Sequence, residues 1–330
     1  MITRDIHTVE LTHNPGERIE AGDFSLECSQ LTPRPGDIVT RTLLVSVDPY
    51  LALNISRAKA GYEPMPGVMR SRTIGVVVDS ENPEFKPGDH VLGFGAWRDF
   101  DARDAAELRR IDLSLGPMEK HLASLGHSGF TAWLGLHQAK AKSGETVLIS
   151  GAAGAVGSVA GVLARRRGCR VVGIAGGALK GRWLTERLGF HAVVDYREPG
   201  FAEALGEAAP EGYDLLFENI GARSLDPALP LMNRRGRIAL CGLVEHYQDN
   251  APVVLRNFRQ ILLQSIAIMP FSIYDHEHLW NSALADLVAA ERAGELPDEF
   301  TISKGIESLP GAFVAMLRGE GLGKHMVRIS

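Results

Sequence analysis

Short apolar runs alternate with longer helix-compatible segments over the second half of the chain, and this alternation constrains the fold more than any other feature. The apolar runs are residues 146–150, 170–174, 192–194, 214–218, 237–241 and 266–270. Parallel strands need long connections and are covered on both faces, so they form short, continuously apolar runs. The alternation therefore predicts an α/β fold with a doubly wound parallel sheet over residues 122–295.

The first part of the chain has a different pattern. Between residues 23 and 100, strand-like stretches such as residues 37–47 are separated by Pro and Gly clusters. Short strands with frequent turns predict a barrel-like β lobe. The strand-like run at residues 325–329 is expected to return to that lobe. Because 330 residues are too many for one ordinary core, we predict two domains, residues 1–121 plus 296–330 and residues 122–295.

Composition and charge argue against several other classes of protein. The formal net charge of −5 argues against a nucleic-acid partner, and the arginine run at residues 165–167 falls where a helix should end and complement its dipole. No apolar run approaches the roughly 18 residues of a membrane span, and residues 1–10 lack the layout of a secretory signal. Three widely spaced cysteines, without a Cys-x-x-Cys motif, fit a reducing compartment. We expect a soluble, cytoplasmic protein without a membrane partner.

A glycine-rich loop follows the first predicted parallel strand. Residues 150–157 are Ser-Gly-Ala-Ala-Gly-Ala-Val-Gly, and a helix over residues 158–167 is expected after them. Between a strand and a helix, such a loop lets backbone amides face a pyrophosphate while the glycines permit close approach. A tight turn without a ligand is the alternative. The placement favours a Rossmann-type dinucleotide site.

The second predicted strand indicates which dinucleotide binds. Enzymes that use NAD usually place Asp or Glu about 20 residues after the glycines, where it binds the ribose 2′-hydroxyl. Here that strand ends in Ile174-Ala-Gly-Gly177, and Lys180 and Arg182 follow. Cations there could bind a 2′-phosphate, or they could simply be side chains at the beginning of a helix that bind no ligand. We predict NADPH.

Several motifs spread over nearly the whole chain carry a family resemblance. They are Val47-Asp-Pro-Tyr50, Tyr62 with Pro66-Gly-Val-Met69, Pro87-Gly-Asp-His-Val91, Leu125-Gly126 with Thr131-Ala132, the loop at residues 152–158, residues 171–177, Asp195-Tyr196, Phe217-Glu-Asn219, Cys241-Gly242, Tyr247 and Gly323-Lys324. On these motifs the chain resembles the leukotriene and prostaglandin reductases and the plant alkenal double-bond reductases. These form a zinc-independent branch of the medium-chain dehydrogenase/reductase superfamily.

The resemblance implies a GroES-like β-barrel lobe beside the Rossmann lobe, a homodimer, and small-molecule substrates such as enones and enals. It implies that Lys180 and Tyr196 bind the adenosine end of NADPH, that Asn219 approaches the cofactor, and that Tyr247 lies beside the nicotinamide. Tyr50 would line the substrate mouth. The residues assigned to the cofactor are Gly151, Ala153, Gly154, Ala155, Val156, Gly157, Gly176, Lys180, Tyr196, Asn219, Cys241, Tyr247, Phe271 and Ile273.

The chain departs from the family pattern at a few positions near the expected active site. Ala52 stands where the family usually has Arg, and Gly321 stands near the position of a usual Asn. His127 and Ser128 replace a common Met-Pro pair. These differences bear on the substrate more than on the cofactor.

Reduction of an activated alkene calls for a hydrogen-bond donor. Hydride addition at the β-carbon drives negative charge onto the carbonyl oxygen, which a preorganised donor stabilises. Tyr247 is the best candidate because a phenol donates at neutral pH, although it could be a rim aromatic that only packs. We assign Tyr247 and Tyr50 to catalysis.

No metal is expected. A zinc site would need a set of Cys and His ligands with an open position, and the cysteines have no such neighbours in sequence. The segment at residues 275–278, Asp-His-Glu-His, is interpreted as a polar helix entry because its spacing matches no usual metal site.

Three functional hypotheses follow. The first is an NADPH-dependent reductase of the C=C bond in α,β-unsaturated ketones and aldehydes. The second is an NADPH-dependent quinone oxidoreductase, which would use the same glycine loop without needing Tyr247. The third is a non-catalytic NADPH-binding protein. The fold alone does not separate them, because one fold hosts many functions.

Overall fold

A computed structural model describes residues 3–62, 65–248 and 252–329. Residues 1, 2 and 330, which belong to the predicted first domain, lie outside the described residues. The chain separates into two compact units. Unit 1 comprises Met1–Leu122, Tyr247–Asn250 and Phe300–Ser330, and unit 2 comprises Ala123–His246 and Ala251–Glu299.

Unit 1 is built on β-strands, as its short strand-like stretches predicted. The strands are β1 (Arg4–Leu11), β2 (Phe24–Leu31), β3 (Ile38–Ser46), β4 (Arg70–Ser80), β5 (His90–Ala96), β6 (Phe100–Arg103), β7 (Leu108–Arg110), β14 (Phe300–Lys304) and β15 (Lys324–Arg328). β1 and β2 form a hairpin-like antiparallel pair, and the other strands form a seven-stranded sheet in the order β14-β15-β3-β4-β5-β7, with β6 also paired to β3. The predicted return of the C-terminal strand is confirmed, because Met326 pairs with Ser46 and Arg328 with Leu44.

Three helices and an aromatic core complete unit 1. The helices are α1 (Tyr50–Lys59), α2 (Met118–Leu122) and α10 (Leu309–Leu317). Trp97 is fully buried between Phe24 and Phe313, with ring centroids 6.4 and 6.0 Å away. Its indole N–H donates to the Ser71 hydroxyl at 2.8 Å, so the largest side chain of this core has its polar atom satisfied.

Unit 2 is a six-stranded, wholly parallel sheet. Its strands are β8 (Thr146–Ile149), β9 (Arg170–Ile174), β10 (Ala192–Val194), β11 (Tyr213–Glu218), β12 (Met232–Leu240) and β13 (Ala267–Pro270). The strand order is β10-β9-β8-β11-β12-β13, and every neighbouring pair is parallel. This is the strand order of doubly wound dinucleotide-binding sheets: β9 and β10 are added outward on one side of β8, and the next three strands are added on its other side, starting with β11. The predicted fold class is confirmed.

Helices connect and cover the parallel strands. They are α3 (His127–Gln138), α4 (Ala155–Arg166), α5 (Ala178–Arg182), α6 (Phe201–Ala208), α7 (Ala222–Ala228), α8 (Arg259–Leu263) and α9 (Trp280–Arg292). The side chain of Trp133 on α3 donates to the Asp286 carboxylate on α9 at 2.7 Å, which fixes these two helices against each other. α4 ends within the arginine run at residues 165–167, as predicted. Within the described residues, no helix is long and apolar enough to cross a membrane.

Short single-turn segments connect these elements. They are the 3-10 helices Ala21–Asp23, Ala105–Glu107, Leu113–Leu115, Leu229–Leu231, Val244–His246, Ile273–Leu279 and Ile306–Ser308, and a π-helical segment at Trp183–Arg187.

Several limits differ from the sequence expectation by one residue, and two elements begin several residues earlier than predicted. α4 begins at Ala155 rather than at residue 158, so the last part of the glycine loop already forms the first helical turn. β12 begins at Met232, five residues before the predicted start at 237. Arg234 and Arg235 lie in that early part of the strand and are exposed, so it has no continuous apolar run to reveal it.

Candidate functional site

The glycine-rich loop joins β8 directly to α4. Gly154 is the N-cap of α4, with extended backbone (φ −87°, ψ 176°), and no side chain caps this helix end. The first backbone N–H groups of a helix have no partner within the helix and carry partial positive charge. This end of α4 is therefore suited to an anion.

Gly157 shows how tightly the loop is folded. A Cβ atom on Gly157 would lie 2.9 Å from the Cα of Ala152 and would overlap the carbonyl oxygen of Gly151. Only glycine lets the first turn of α4 approach the loop so closely. The loop thus has the close backbone packing that a pyrophosphate cradle needs, and the residues present fit a dinucleotide.

The other predicted cofactor residues follow the ends of the parallel strands. Because all six strands are parallel, their carboxyl ends lie at one edge of the sheet. Going along the chain, this edge carries Gly151, Ala153 and Gly154 after β8, Gly176 after β9, Tyr196 after β10, Asn219 after β11, Cys241 after β12, and Phe271 and Ile273 after β13. Ala155, Val156 and Gly157 lie in the first turn of α4. The structure brings these residues of unit 2 to the same edge.

A buried carboxyl group organises the centre of that edge. Oε1 of Glu218 accepts hydrogen bonds from four donors, namely the hydroxyls of Ser150 (2.9 Å) and Ser224 (2.9 Å) and the backbone amides of Ile220 (2.6 Å) and Gly221 (2.8 Å). Its other oxygen, Oε2, is 3.0 Å from the Ser224 hydroxyl. Burial raises the pKa of Glu218 to about 7, and the hydrogen bonds from Gly221 and Ile220 oppose that rise.

Ser150 connects this carboxyl group to the predicted cofactor residue Asn219. The Ser150 hydroxyl oxygen accepts the backbone N–H of Asn219 at 2.8 Å, and the Ser150 carbonyl accepts the Asn219 side-chain amide at 2.7 Å. These hydrogen bonds therefore join the ends of β8 and β11, the neighbouring strands at which the strand order changes sides. Burial also raises the pKa of the neighbouring Cys241 thiol to about 12, and the charge of Glu218 adds to that rise.

Positive charge collects at the end of β9. Lys180 lies on α5 and is half-buried, and burial lowers its pKa, with a further lowering from the charge of Arg197. Arg182 is the exposed last residue of α5. The Tyr196 ring lies 5.6 Å from Cζ of Arg197 and 5.4 Å from Cζ of Arg223. The chain has glycines, without side chains, at positions 176 and 177, and the Asp195 carboxylate accepts the backbone N–H of Gly177 at 2.6 Å.

Phe271 and Ile273 lie at the far side of the same sheet. Phe271 packs edge-on against Phe217 of β11, with ring centroids 6.3 Å apart. A Cβ atom on Gly135 of α3 would lie 2.8 Å from the tip of the Phe271 ring. Phe271 is therefore held between a strand and a helix, and Ile273 begins the 3-10 segment that follows.

The two predicted catalytic tyrosines belong to unit 1. Tyr50 begins α1, and Tyr247 belongs to the short segment that unit 1 includes from the second half of the chain. Both are partly buried and pack against the same core cluster, which contains Leu51, Ala52 and Ile55. Gln248, next to Tyr247, accepts the backbone N–H of Ile19 at 3.3 Å.

A buried ion pair fixes the chain just before Tyr50. The ammonium group of Lys324, only 2% exposed, donates to the Val47 carbonyl at 2.9 Å and pairs with the Asp48 carboxylate. The Ser46 hydroxyl also donates to Asp48. Lys324 of the Gly-Lys motif thus anchors Asp48 of the Asp-Pro-Tyr motif.

The departures from the family pattern have local structural settings. Ala52 is completely buried in the core cluster of unit 1. Gly321 has a left-handed backbone (φ +75°), and an added Cβ would overlap the Thr301 hydroxyl, so an asparagine is disfavoured there. His127 begins α3 with its ring 5.3 Å from that of Trp280, and Ser128 is buried.

The described residues contain no group of three or more His, Cys, Asp or Glu side chains placed to hold a metal ion. The segment at residues 275–278 lies in the 3-10 helix Ile273–Leu279, before α9, as the polar-entry interpretation predicted. Within it, His276 is hydrogen-bonded to Gln138 at 2.8 Å and its ring stacks on that of His278. The cysteines Cys28, Cys169 and Cys241 are free thiols.

Two family profiles match the chain. Residues 7–111 match the N-terminal domain of oxidoreductase, and residues 155–290 match the zinc-binding dehydrogenase family. The first match lies within unit 1 and the second lies mostly within unit 2. Both profiles describe oxidoreductases.

Relatives extend over nearly the full chain. The NADPH-dependent curcumin reductase of Escherichia coli is 34% identical, with 93% of this chain and 92% of that protein covered. Prostaglandin reductase 1 of Bos taurus is 33% identical, covering 93% and 94%. The crystal structure of CurA from Vibrio vulnificus in complex with NADPH has a TM-score of 0.91 at 32% identity, covering 98% and 99%. The chain therefore belongs to the zinc-independent double-bond reductase branch of the medium-chain dehydrogenase/reductase superfamily.

Sequence reasoning missed two residues of this edge. Glu218 was noted only as part of the Phe217-Glu-Asn219 motif, although a carboxylate ending an apolar strand is itself a signal because burying it is costly. Arg197 follows the Asp195-Tyr196 motif directly, but its place beside β9 depends on the strand order and leaves no local pattern.

Proposed function

We propose that the protein reduces the activated C=C bond of α,β-unsaturated ketones and aldehydes with NADPH. One observation carries the proposal. A dinucleotide-binding sheet edge, with cations in place of the carboxylate typical of NAD enzymes, occurs in a chain that is similar over its full length to reductases of curcumin and prostaglandin type. This combination supports an oxidoreductase acting on carbon–carbon double bonds.

The chain's residues would hold NADPH along the edge formed by the parallel strands. The amides at the start of α4 and the tightly packed loop at Gly157 would receive the pyrophosphate. Lys180 and Tyr196 would bind the adenosine end, and Asn219, fixed through Ser150, would approach the cofactor. The bound cofactor supplies the hydride.

Tyr247 is proposed as the donor that stabilises the substrate. When a hydride is added to the β-carbon, negative charge moves to the carbonyl oxygen, and the α-carbon must then be protonated. A phenol O–H aimed at that oxygen stabilises the developing charge. Tyr50, held by the Lys324–Asp48 pair, would line the substrate site from the start of α1.

The experiment that tests this proposal measures NADPH oxidation with panels of enones, enals, quinones and simple aldehydes. It compares the native protein with Tyr247→Phe and with the control Tyr274→Phe, whose side chain is 66% exposed. We expect enone turnover in the native protein, a loss of about a hundredfold in kcat in Tyr247→Phe, and no change in the control.

Other outcomes select the other functions. Turnover of quinones alone, unaffected by Tyr247→Phe, would contradict the proposal and indicate a quinone oxidoreductase. Tight NADPH binding with no turnover of any panel would indicate a non-catalytic NADPH-binding protein.

We further propose a homodimer that pairs through β13. This strand ends the order of the parallel sheet, and its residue Ile268 is 40% exposed. The nearby Phe258 and Leu262 are 62% and 80% exposed, a concentration of apolar surface that association would cover. On gel filtration we expect the native protein to elute as a dimer and the Ile268→Lys variant to elute as a monomer. A native monomer would refute the idea.

The cellular location and the limits of the functional domains are also proposals. The free thiols are in keeping with a cytoplasmic location, which cell fractionation would test. Functional domains over residues 1–121 plus 296–330 and residues 122–295 would be tested by expressing residues 122–295 alone. NADPH binding by that fragment is the expected result.

A further inference from the structure

The carboxyl end of β9 is covered by an arginine that follows the neighbouring strand, β10. A Cβ atom on Gly176 would lie 2.5 Å from Nε of Arg197 and 3.0 Å from its Cζ, and one on Gly177 would lie 3.7 Å from Nη1. The guanidinium group therefore packs on the backbone of the two glycines after β9. In dinucleotide-binding folds, the 2′ substituent of the adenosine ribose is recognised at this place.

Lys180 brings a second positive charge to the same place. Burial lowers the pKa of Lys180, and the charge of Arg197 lowers it further, so the two cations are close enough to repel each other. Like charges held together in this way favour a bound anion, because it offsets their repulsion. The end of β9 is therefore suited to an anion, with one cation from each of two separate segments of the chain.

Two nearby carboxylates have hydrogen-bond or ion-pair partners, and the charge of one of them, Asp195, also acts on Arg197. Asp195 accepts the backbone N–H of Gly177 at 2.6 Å and that of Arg197 at 2.9 Å. Glu245 pairs with Arg223, with Nε and Oε2 3.4 Å apart. Asp195 thus shapes the turn that presents the Arg197 side chain, and Glu245 balances the charge of Arg223.

Tyr196 orients the Arg197 side chain. Cζ of Arg197 lies 5.6 Å from the centre of the Tyr196 ring, and the interaction with Tyr196 raises the pKa of Arg197. The Tyr196 ring also lies 5.4 Å from Cζ of Arg223, so it is in contact range of two guanidinium groups. A guanidinium held in this way keeps its donors fixed, as recognition of a phosphate requires.

We propose that Arg197, together with Lys180, is the specificity-determining contact for the 2′-phosphate of NADPH. Both arginines are exposed, but Arg197 packs on Gly176, so it takes the part that the sequence suggested for Arg182. The NAD-type carboxylate would extend from the end of β9, where this chain has the Arg197 guanidinium packed on Gly176, beside the Asp195 carboxylate that accepts the Gly177 N–H. This inference rests on the proposal that NADPH is the cofactor.

Binding, rather than turnover, provides the test. Dissociation constants of NADPH and NADH are measured by fluorescence titration for the native protein, Arg197→Ala, Lys180→Ala and the control Arg182→Ala. Adenosine 2′,5′-bisphosphate and AMP serve as a second pair of probes that lack the nicotinamide. We expect Arg197→Ala to weaken NADPH and the bisphosphate about tenfold while leaving NADH and AMP unchanged, and Arg182→Ala to change neither pair.

The outcomes separate this inference from the proposed function. A native protein that binds NADH as tightly as NADPH would overturn the cofactor assignment and the inference with it. Native preference for NADPH that is retained in Arg197→Ala, or lost equally in Arg182→Ala, would overturn only the role of Arg197. Equal weakening of NADPH and NADH by Arg197→Ala would show a structural role and would also overturn it.

Discussion

Replacing Glu218 by glutamine removes a titrating group from the centre of the cofactor edge while keeping its shape. Four donors converge on Oε1, whereas Oε2 lies 3.0 Å from the Ser224 hydroxyl. A protonated carboxyl group fits this arrangement, with Oε1 accepting and Oε2 carrying the proton. Glutamine can place its carbonyl oxygen at the Oε1 position and its amide at the Oε2 position, so we expect Glu218→Gln to fold.

The magnitude follows from the proton affinity of the carboxyl group. Burial raises the pKa of Glu218 from 4.5 to about 7, so between these values the folded protein holds a proton that the unfolded chain has released. The free energy of unfolding therefore contains a contribution that is fully present below pH 4.5 and is lost as the pH rises through about 7. At about 1.4 kcal/mol for each tenfold change in proton affinity, the loss between pH 5 and pH 8 is about 2.5 kcal/mol.

Urea unfolding at several pH values between about 5 and 8 measures this contribution. Three of the four tryptophans, Trp133, Trp183 and Trp280, lie in unit 2 and report on it by fluorescence. The difference in free energy of unfolding between the native protein and Glu218→Gln should fall by about 2.5 kcal/mol as the pH rises across this range. The control Glu203→Gln, at an exposed position on α6, should show no such trend. If that difference does not change with pH, the idea that burial raises the proton affinity of Glu218 is refuted.

Two further substitutions test the packing of the motifs. Gly157→Ala should weaken NADPH binding about tenfold or more, since the added methyl group displaces the loop, whereas Gly206→Ala, with its nearest neighbour at 3.7 Å, should bind normally in the same fluorescence titration. Lys324→Met should lower the free energy of unfolding by about 3 to 5 kcal/mol, because it leaves the Asp48 carboxylate without its buried partner. The exposed Lys304→Met serves as its control in urea unfolding, and a loss under about 1 kcal/mol for Lys324→Met would contradict the anchoring role.

The sheet of unit 2 was predictable because its signal is local. Each parallel strand contains a short apolar run, which in β12 covers only its last three residues, and the predicted limits of Arg170–Ile174 and Ala192–Val194 match the structure. The glycine loop was predictable for a related reason. Gly157 fits because of steric contact with residues only a few positions away, at Gly151 and Ala152, so the constraint leaves its trace within one short segment.

Features that depend on distant contacts were not predictable in the same way. β14 has no marked apolar run, and its residues are at most half-buried, because the strand is at the end of its sheet and pairs with β15 alone. Tyr247 packs with the core of unit 1, although the residues on both sides of its short segment belong to unit 2. Its place depends on tertiary packing, so the neighbouring sequence does not indicate which core it joins.

Cofactor selection combines both kinds of information. The absence of a carboxylate at Ile174-Ala-Gly-Gly177 is local and points to NADPH from the sequence alone. The group that replaces it is not local, because Arg197 lies 21 positions after Gly176 and meets it only through the pairing of β10 with β9. Ala192 pairs with Val172 and Val194 with Ile174, so the residues that leave both strands emerge side by side. A search for 2′-phosphate ligands in chains with this strand order should therefore include the residues that follow β10, where a cation can reach the end of β9 without belonging to its loop.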